Sequence, residues 1–191
     1  MASNIVYQTL KDNEKPWDVE ENGPFPCSRD DAWLGNGFYF WDYHIQLAHW
    51  WGKKSYGTNE YMICEAYCNI NPNGCWDLHN EGKHREEFIL ALNLLIKSKI
   101  AGEDEITVAQ VIEYTKKKGF FKYEAIRVHG INSATVNNKS DVGARLLFNQ
   151  DLPAYFDLYP AIQLCLLKRT SLSLCNYTVV WPEHHREDYV F

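Results

Sequence analysis

The sequence predicts an α+β domain with a largely antiparallel core. Apolar residues make up 46% and charged residues 23% of its 191 residues, which is close to ordinary globular composition. A strand-loop-helix pattern comes first, two helical patterns follow, and strand patterns come last, an order typical of this fold class. The length suits one well-packed domain, so we expect residues 1–191 to form a single domain.

The N-terminal part of the chain is predicted to hold two strands, a loop and a helix. Residues 4–9 predict a short strand, and residues 11–32 predict a loop because prolines and acidic residues interrupt any periodicity. An aromatic strand follows the glycines of WLGNGFYFWD. Residues 43–52 place apolar side chains at helical spacing, and Gly52 is a natural helix end.

The remainder of the chain is predicted to hold two helices and several strands. Residues 60–70 predict a strand, which is followed by a turn where a proline and a glycine set the backbone at residues 71–74. Residues 84–99 predict a helix with one apolar side. Residues 106–118 predict a second helix, with Thr107 as its cap and lysines near its C-terminus. Further strands are predicted near residues 123–129, 144–149, 160–168 and 174–181.

The charge and the composition exclude several classes of protein. A net charge of −6 and a pI near 5.6 argue against a general binder of nucleic acid or of anionic membranes. No run of eighteen apolar residues predicts a transmembrane helix, and the N-terminus lacks the segments of a signal peptide. We therefore expect a cytoplasmic protein without a membrane partner, and six cysteines that are reduced.

The segment from Gly35 to Asp42 is the most informative part of the sequence. Two glycines separated by one residue allow positive φ or a close approach of the backbone. In the strand that follows, Tyr39 and Trp41 face one way while Phe38 and Phe40 face the other. One of these faces suits stacking on a flat ring such as nicotinamide, while the other packs the core.

This segment resembles the G-x-G-[IF]-Y-F-x-D motif of the ADP-ribosyltransferase superfamily, in the branch with a His-Tyr-Glu-type triad. The flanking residues 31–34 and the helical Ala48 are similar to small bacterial members that are written D-W-L-G-x-G-[IF]-Y-F-W. Residues 160–166 resemble the strand that those members write as H-I-Q-I-[CA]-V, and residues 123–130 resemble their middle strand. The similarity spans most of the chain in the same order.

The resemblance implies a fold of split antiparallel β-sheets with flanking helices, and NAD as the substrate. In this family NAD lies bent in a cleft between two small sheets, nicotinamide leaves through an oxocarbenium-like state, and ADP-ribose passes to a macromolecular target. Positioning and electrostatics supply most of the catalysis. The acidic charge favours a protein target, with nucleic acid left open. A bacterial or phage toxin or defence effector with a neutralising partner fits this activity.

The resemblance also implies roles for individual residues. Tyr39 stacks on nicotinamide, and Gln163 contacts the nicotinamide ribose. The family's Y-H-G-T falls on Tyr7, Gln8 and Thr9, so Gln8 stands where histidine is expected and the following glycine is missing. Glutamine still donates and accepts hydrogen bonds to a ribose. We therefore expect Tyr39, Gln163 and Gln8 to be catalytic. The expected NAD contacts are Tyr7, Gln8, Thr9, Gly37, Phe38, Tyr39, Phe40 and Ala48.

Other functions stay open at this point. A non-catalytic member of the same fold that binds NAD, ADP-ribose or a partner is supported by the departure at Gln8. An NAD glycohydrolase, with water as the acceptor, has the same sequence pattern. Glu124 and Glu183 are alternative carboxylates for the cleft. The alternatives without a functional role are a glycine turn before a buried aromatic strand, and for Gln163 a polar residue on an edge or half-exposed strand.

A zinc-stabilised interaction module is a further alternative, although we predict no metal site. The candidate ligands lack the compact C-x2-C spacing of structural zinc sites, so buried thiols and surface histidines are expected instead. Ser28, Asp30 and Asp31 lack the G-x-S-x-G turn that organises a serine hydrolase, so no such function is predicted. The candidate zinc ligands are Cys64, Cys68, Cys75, His79 and His84.

Overall fold

The computed structural model describes residues 3–27, 29, 32–98, 106–130, 134–135, 144–151 and 154–187. Over these residues the chain is a mixed α and β structure, compatible with the predicted α+β class. The helices are α1 (Pro16–Asn22), α2 (Ile45–Ser55), α3 (Gly82–Lys97), α4 (Val108–Lys117) and α5 (His184–Glu187). The strands are β1 (Asn4–Lys11), β2 (Phe38–Asp42), β3 (Tyr61–Cys68), β4 (Cys75–Asp77), β5 (Ala125–His129), β6 (Ala134–Thr135), β7 (Ala144–Leu147), β8 (Tyr155–Asp157), β9 (Ile162–Leu166) and β10 (Cys175–Trp181).

Seven strands form one sheet in the order β10-β3-β1-β2-β9-β5-β4, and three form a second sheet in the order β6-β7-β8. Neighbours run antiparallel except β4 with β5 and β6 with β7. The predicted antiparallel character is therefore the majority pattern, but the large sheet is mixed. The β4–β5 pair is parallel because α3 and α4 lie between these strands in the chain and supply the long crossover that parallel neighbours need.

Helix α1 lies within the segment predicted as a loop, and that prediction is wrong for these residues. Pro16 occupies the first turn, where its missing N–H costs nothing, and Asp18 lies near the positive end of the helix dipole. Val19 is buried against Met62 and Val179, so tertiary packing stabilises a helix that is too short to be stable alone.

Two further differences concern helix ends and short strands. Helix α2 continues through Gly52 to Ser55, so Gly52 does not end the helix as predicted. The helix passes the Tyr61 ring at Gly52, where a Cβ would collide with that ring. The cap of α4 is confirmed: the Thr107 hydroxyl accepts from the Gln110 N–H, and the Gln110 side chain accepts from the Thr107 N–H. Strands β4, β6 and β8, of two or three residues each, were not predicted.

Strand alternation assigns the side chains of the large sheet to two faces. Tyr39 and Trp41 lie two residues apart on β2 and share a face, and Gln163 joins them because it pairs with Trp41. We call this the cavity face. Leu47 of α2 packs with Trp41, and Ile112 of α4 packs with Tyr39, so helices cover both ends of this face.

The opposite face of the sheet carries a separate core. Val6, Phe40 and Leu164 are fully buried there and pack with Leu172, from the 3₁₀ turn at Ser171–Ser173. Val6, Phe40 and Leu164 each come from a strand position between two residues of the cavity face, as strand alternation requires.

Arg127 ties three strands together on the opposite face. Its Nε donates to Asp42 Oδ2 at 2.7 Å, and its Nη1 donates to Asp77 Oδ2 at 2.8 Å. Burial alone lowers the pKa of Arg127, but the two carboxylates outweigh it and raise that pKa. Asp42, the last residue of the aromatic motif, therefore has a structural partner that links β2 to β5.

Strands β1 and β2 pair over a short distance and then separate. They pair through Val6 with Asp42 and Tyr7 with Trp41. Beyond that point β1 stays with β3 as far as Lys11, while β2 stays with β9. A cleft opens in the sheet between the two strands.

Among the residues that the structure describes, no helix has the length and apolar character needed to cross a membrane.

Candidate functional site

A cavity of about 340 Å³ lies where β1 and β2 separate. Its walls come from β1, β2, β9, the end of α2 and the loop that leads into β2. The volume is near the lower limit of small-ligand sites, roughly 300–1,000 Å³. Tyr39, Gln163 and Gln8, the three predicted catalytic residues, all line it.

Aromatic rings dominate the lining, with one positive charge among the lining residues that the structure describes. That charge is Arg29, whose guanidinium carbon lies 5.9 Å from the centre of the Trp51 ring. Flat walls and a single cation suit a ligand that has aromatic rings and carries negative charge. The aromatic residues of the lining are Phe25, Trp33, Tyr39, Phe40, Trp41, Trp51 and Tyr56.

Tyr39 is half-buried, and its hydroxyl is attached to the glycine loop that precedes the strand. The hydroxyl donates to Gly35 O at 2.7 Å and accepts from the Leu34 N–H at 2.8 Å. Burial, followed by the neighbouring Cys165 thiol, raises the pKa of Tyr39. The ring is thus neutral at physiological pH and held at a fixed angle beside the cavity.

Gln163 lies on β9, an interior strand of the large sheet, and only 9% of its surface is exposed. Its Oε1 is buried and accepts no hydrogen bond from any residue that the structure describes. Burying a polar atom without a partner costs about 1–3 kcal/mol. An acceptor of this kind in a cavity wall is what a ligand with an O–H or N–H donor would satisfy.

Gln8 has all of its hydrogen-bonding capacity in use. Its Nε2 donates to Phe25 O at 2.9 Å and to Tyr39 O at 3.3 Å. Its Oε1 accepts from the Phe25 N–H at 3.0 Å and from the Tyr177 hydroxyl at 2.7 Å. The imidazole expected at this position offers two ring nitrogens and is unable to make all four bonds. In this conformation Gln8 braces the cleft where the β1–β2 ladder stops.

The predicted NAD contacts fall into two groups. Besides Gln8 and Tyr39, Thr9 and Phe40 line the cavity. The others lie outside the lining: Ala48 is a fully buried residue of α2, and its carbonyl oxygen accepts a hydrogen bond from the Thr9 hydroxyl. The remaining three residues outside the lining are Tyr7, Gly37 and Phe38.

The paired glycines have structural causes of their own. Gly35 has φ of +83°, which favours glycine. A Cβ on Gly37 would lie 2.5 Å from Cys165 Sγ and 2.7 Å from Leu166 O, so the position needs glycine for close approach to β9. Neither glycine lines the cavity.

Several cavity residues were not predicted from the sequence. Phe25, Arg29 and Trp33 lie in the segments before β2, where no periodicity assigns a facing. Trp51 also lines the cavity. It lies three residues after Ala48 on α2, so helical spacing was a usable signal that it faces the same side.

The alternative metal site is not supported. Over the described ranges, no group of three or more histidine, cysteine or acidic residues is placed to hold a metal ion. Burial raises the pKa of Cys64 and of Cys68 to about 12, and His84 Nδ1 accepts the Asp77 N–H. The alternative carboxylates Glu124 and Glu183 do not line the cavity. Ser28, Asp30 and Asp31 lie outside the described residues.

Comparisons of the chain with protein-family models, with curated proteins and with solved structures return no match.

Proposed function

We propose that the cavity binds NAD and that the chain is a mono-ADP-ribosyltransferase acting on a macromolecular target, with a fold of the ADP-ribosyltransferase type. The observation that carries the proposal is the buried, unpartnered Gln163 Oε1 in the same cavity wall as the Tyr39 ring. The sequence resemblance assigns these two residues to the two sides of the bond that breaks.

The chemistry of the cavity supports a dinucleotide as the ligand. Two flat bases match the aromatic walls, and a diphosphate matches the charge of Arg29. The separation of β1 from β2 supports the cleft between two half-sheets that the resemblance implies. A volume of about 340 Å³ suits the nicotinamide riboside end, with the remainder of NAD at the mouth.

The proposed mechanism depends on orientation and electrostatics. Tyr39 presents its ring to nicotinamide, and its anchored hydroxyl keeps the ring from rotating away. Gln163 Oε1 accepts a hydroxyl hydrogen of the adjoining ribose and turns the negative end of its dipole towards the sugar as positive charge develops. Nicotinamide leaves with the electrons of the glycosidic bond, and a nucleophile of the target takes its place. Gln8 positions Phe25 and Tyr39, and its direct contact with a ribose stays a prediction.

A second candidate is a non-catalytic module that binds NAD or ADP-ribose. It is favoured by the absence of a carboxylate among the described residues that line the cavity. An amide stabilises an oxocarbenium-like charge less than a carboxylate does, since it lacks a full negative charge. An NAD glycohydrolase differs from a transferase only in using water as the acceptor.

The test is to incubate the chain with a lysate and NAD labelled in either the nicotinamide ring or the adenylate phosphate. A transferase releases nicotinamide and labels a macromolecule. A glycohydrolase releases nicotinamide alone. Binding of NAD without release of nicotinamide indicates the non-catalytic module. If the chain neither binds NAD nor releases nicotinamide, the proposal is overturned.

Gln163→Leu is the informative variant, with Gln46→Leu on the exposed side of α2 as its control. Leucine keeps the apolar bulk and removes the unpartnered oxygen, so the variant is expected to fold. We expect kcat to fall on the order of 100-fold while the Kd for NAD changes little, because the contact strengthens as charge develops. Equal losses in kcat and affinity would count against this role.

A further inference from the structure

Cys27 is the one cysteine whose residue lines the cavity, among six cysteines that the structure describes in full. Cys64, Cys68, Cys75 and Cys165 are buried, and Cys175 is exposed on the edge strand β10. Cys27 is half-buried, so part of the residue is accessible from the cavity that it lines.

The backbone fixes the direction of the Cys27 side chain. The Cys27 N–H donates to Gly37 O at 2.7 Å, and the Gly37 N–H donates to Cys27 O at 3.2 Å. These residues form an antiparallel bridge, and opposed residues share a face. Tyr39 is two residues beyond Gly37, so Cys27 lies on the cavity face with Tyr39 and Gln163.

Cys27 and Tyr39 line the same cavity, and the electrostatics of Tyr39 agree with this. Burial, the Cys165 thiol and then the Cys27 thiol raise the pKa of Tyr39. Gly37 carries no side chain, so that residue places no atoms beyond its backbone between Cys27 and the side chains of β2 and β9 on the cavity face.

The second observation that points to a ligand is independent of the thiol. Gln163 is about nine-tenths buried, lines this cavity, and leaves its Oε1 without a partner among the described residues. A ribose held by Gln163 and a nicotinamide held by Tyr39 bring the bond between them to the face that carries Cys27.

We propose that Cys27 is itself an acceptor, so that the chain ADP-ribosylates its own thiol inside the cavity. This inference rests on the proposed function. The Cys27 sulfur forms a bond to C1 of the nicotinamide ribose, and the C1–N bond to the pyridinium breaks. Its electron pair leaves with neutral nicotinamide, and the thiol proton passes to solvent. No oxidant, reductant or co-reactant other than NAD is needed, and the adduct then occupies the cavity.

The test is to incubate the purified full chain with NAD and record its intact mass, with nicotinamide release measured in the same sample. Wild type and the control Cys175→Ser are expected to gain the mass of one ADP-ribose. Cys27→Ser is expected to gain none. In wild type, peptide mapping should place the adduct on Cys27, and mercuric ion should release it because it cleaves thioglycosides, whereas hydroxylamine should not.

The outcomes separate this inference from the function on which it rests. Nicotinamide release without an adduct, or an adduct mapped to another residue, overturns the role of Cys27 and leaves the enzyme proposal standing. An adduct that persists in Cys27→Ser also overturns it. If the wild-type chain neither releases nicotinamide nor binds NAD, both the role of Cys27 and the enzyme proposal are overturned. The peptide map needs no variant, so a misfolded Cys27→Ser does not obscure the result.

Discussion

Two glutamines line the same cavity in opposite states of hydrogen bonding. Gln8 uses both amide hydrogens and both carbonyl lone pairs on the chain itself, whereas Gln163 buries its Oε1 without a partner. A saturated side chain stabilises the fold, and an unsatisfied one costs stability. This difference is the basis for proposing that Gln8 shapes the cavity and that Gln163 contacts a ligand in it.

Replacing Gln8 by alanine should destabilise the protein. The change leaves the N–H and C=O of Phe25 without their partners, and each unsatisfied buried group costs about 1–3 kcal/mol. We expect the free energy of unfolding in urea to fall by about 2–3 kcal/mol. Gln46→Ala, at an exposed position on α2, is the matched control and should change it by less than about 0.5 kcal/mol. Equal values for the two variants would refute the bracing role.

Strand β2 is the element on which the site depends, because it carries Tyr39 and lies between β1 and β9. The N-terminal end of β2 does not pair with β1 and pairs only with β9, where Phe38 lies opposite Leu166. Gly37 allows this approach, since a Cβ there meets Cys165 Sγ and Leu166 O. Gly37 thus affects the cavity indirectly, because it allows β2, whose residues line the cavity, to pack closely against β9.

Gly37→Ala should therefore separate β2 from β9 and lower stability by about 1–3 kcal/mol, the usual cost of overpacking. Gly82→Ala is the control, because a Cβ at the start of α3 meets nothing within 4 Å. Alanine is the better helix former, so this control should be neutral or up to about 1 kcal/mol more stable. Thermal unfolding of the two variants checks both values, and a neutral Gly37→Ala would show that β9 yields.

Helices and strands differed in how far they could be predicted. The apolar periodicity of α3 and the cap residue Thr107 of α4 are local signals, and both helices are observed. Helix α1 and strand β4 depend on packing partners far along the chain, such as Val179 for α1. No local sequence pattern indicates such partners, so α1 and β4 were not predicted.

Across the whole molecule, burial opposes protonation of several histidines. The pKa values of His44, His49 and His79 are lowered from the usual 6.5, in each case chiefly by burial. Below that value the unfolded chain binds protons that the folded chain does not. Stability that is fully present above the unfolded pKa is therefore lost as the pH falls from 6.5 towards the lowered folded values.

We accordingly expect the free energy of unfolding to decrease when the pH is lowered from about 7.5 to about 5.5. Urea titrations across this range measure the decrease. In His49→Gln the decrease in the free energy of unfolding between these two pH values should be smaller, because one of the three histidines is then absent. Stability that stays level or rises as the solution is acidified would contradict this expectation.

The candidate site was predicted in part. Tyr39 and Gln163 come from an aromatic motif and a strand pattern that are visible in the sequence, and both line the cavity. Arg29 and Cys27 precede β2 in a segment without periodicity. Their facing depends on the bridge from Cys27 to Gly37, a contact between separate segments that no spacing rule supplies.

Local periodicity is enough to predict an α+β class, three of the five helices among the described residues, most longer strands, and that Tyr39 and Trp41 share a face. Periodicity does not predict where β1 leaves β2, which side chains surround the resulting cavity, or which glutamine is left unpartnered. Hydrogen-bond satisfaction and cavity shape depend on groups that are distant in the chain, and only folding brings these groups together. Gln8 and Gln163 are the same residue type, and their different hydrogen bonding arises from the neighbours that folding brings to each.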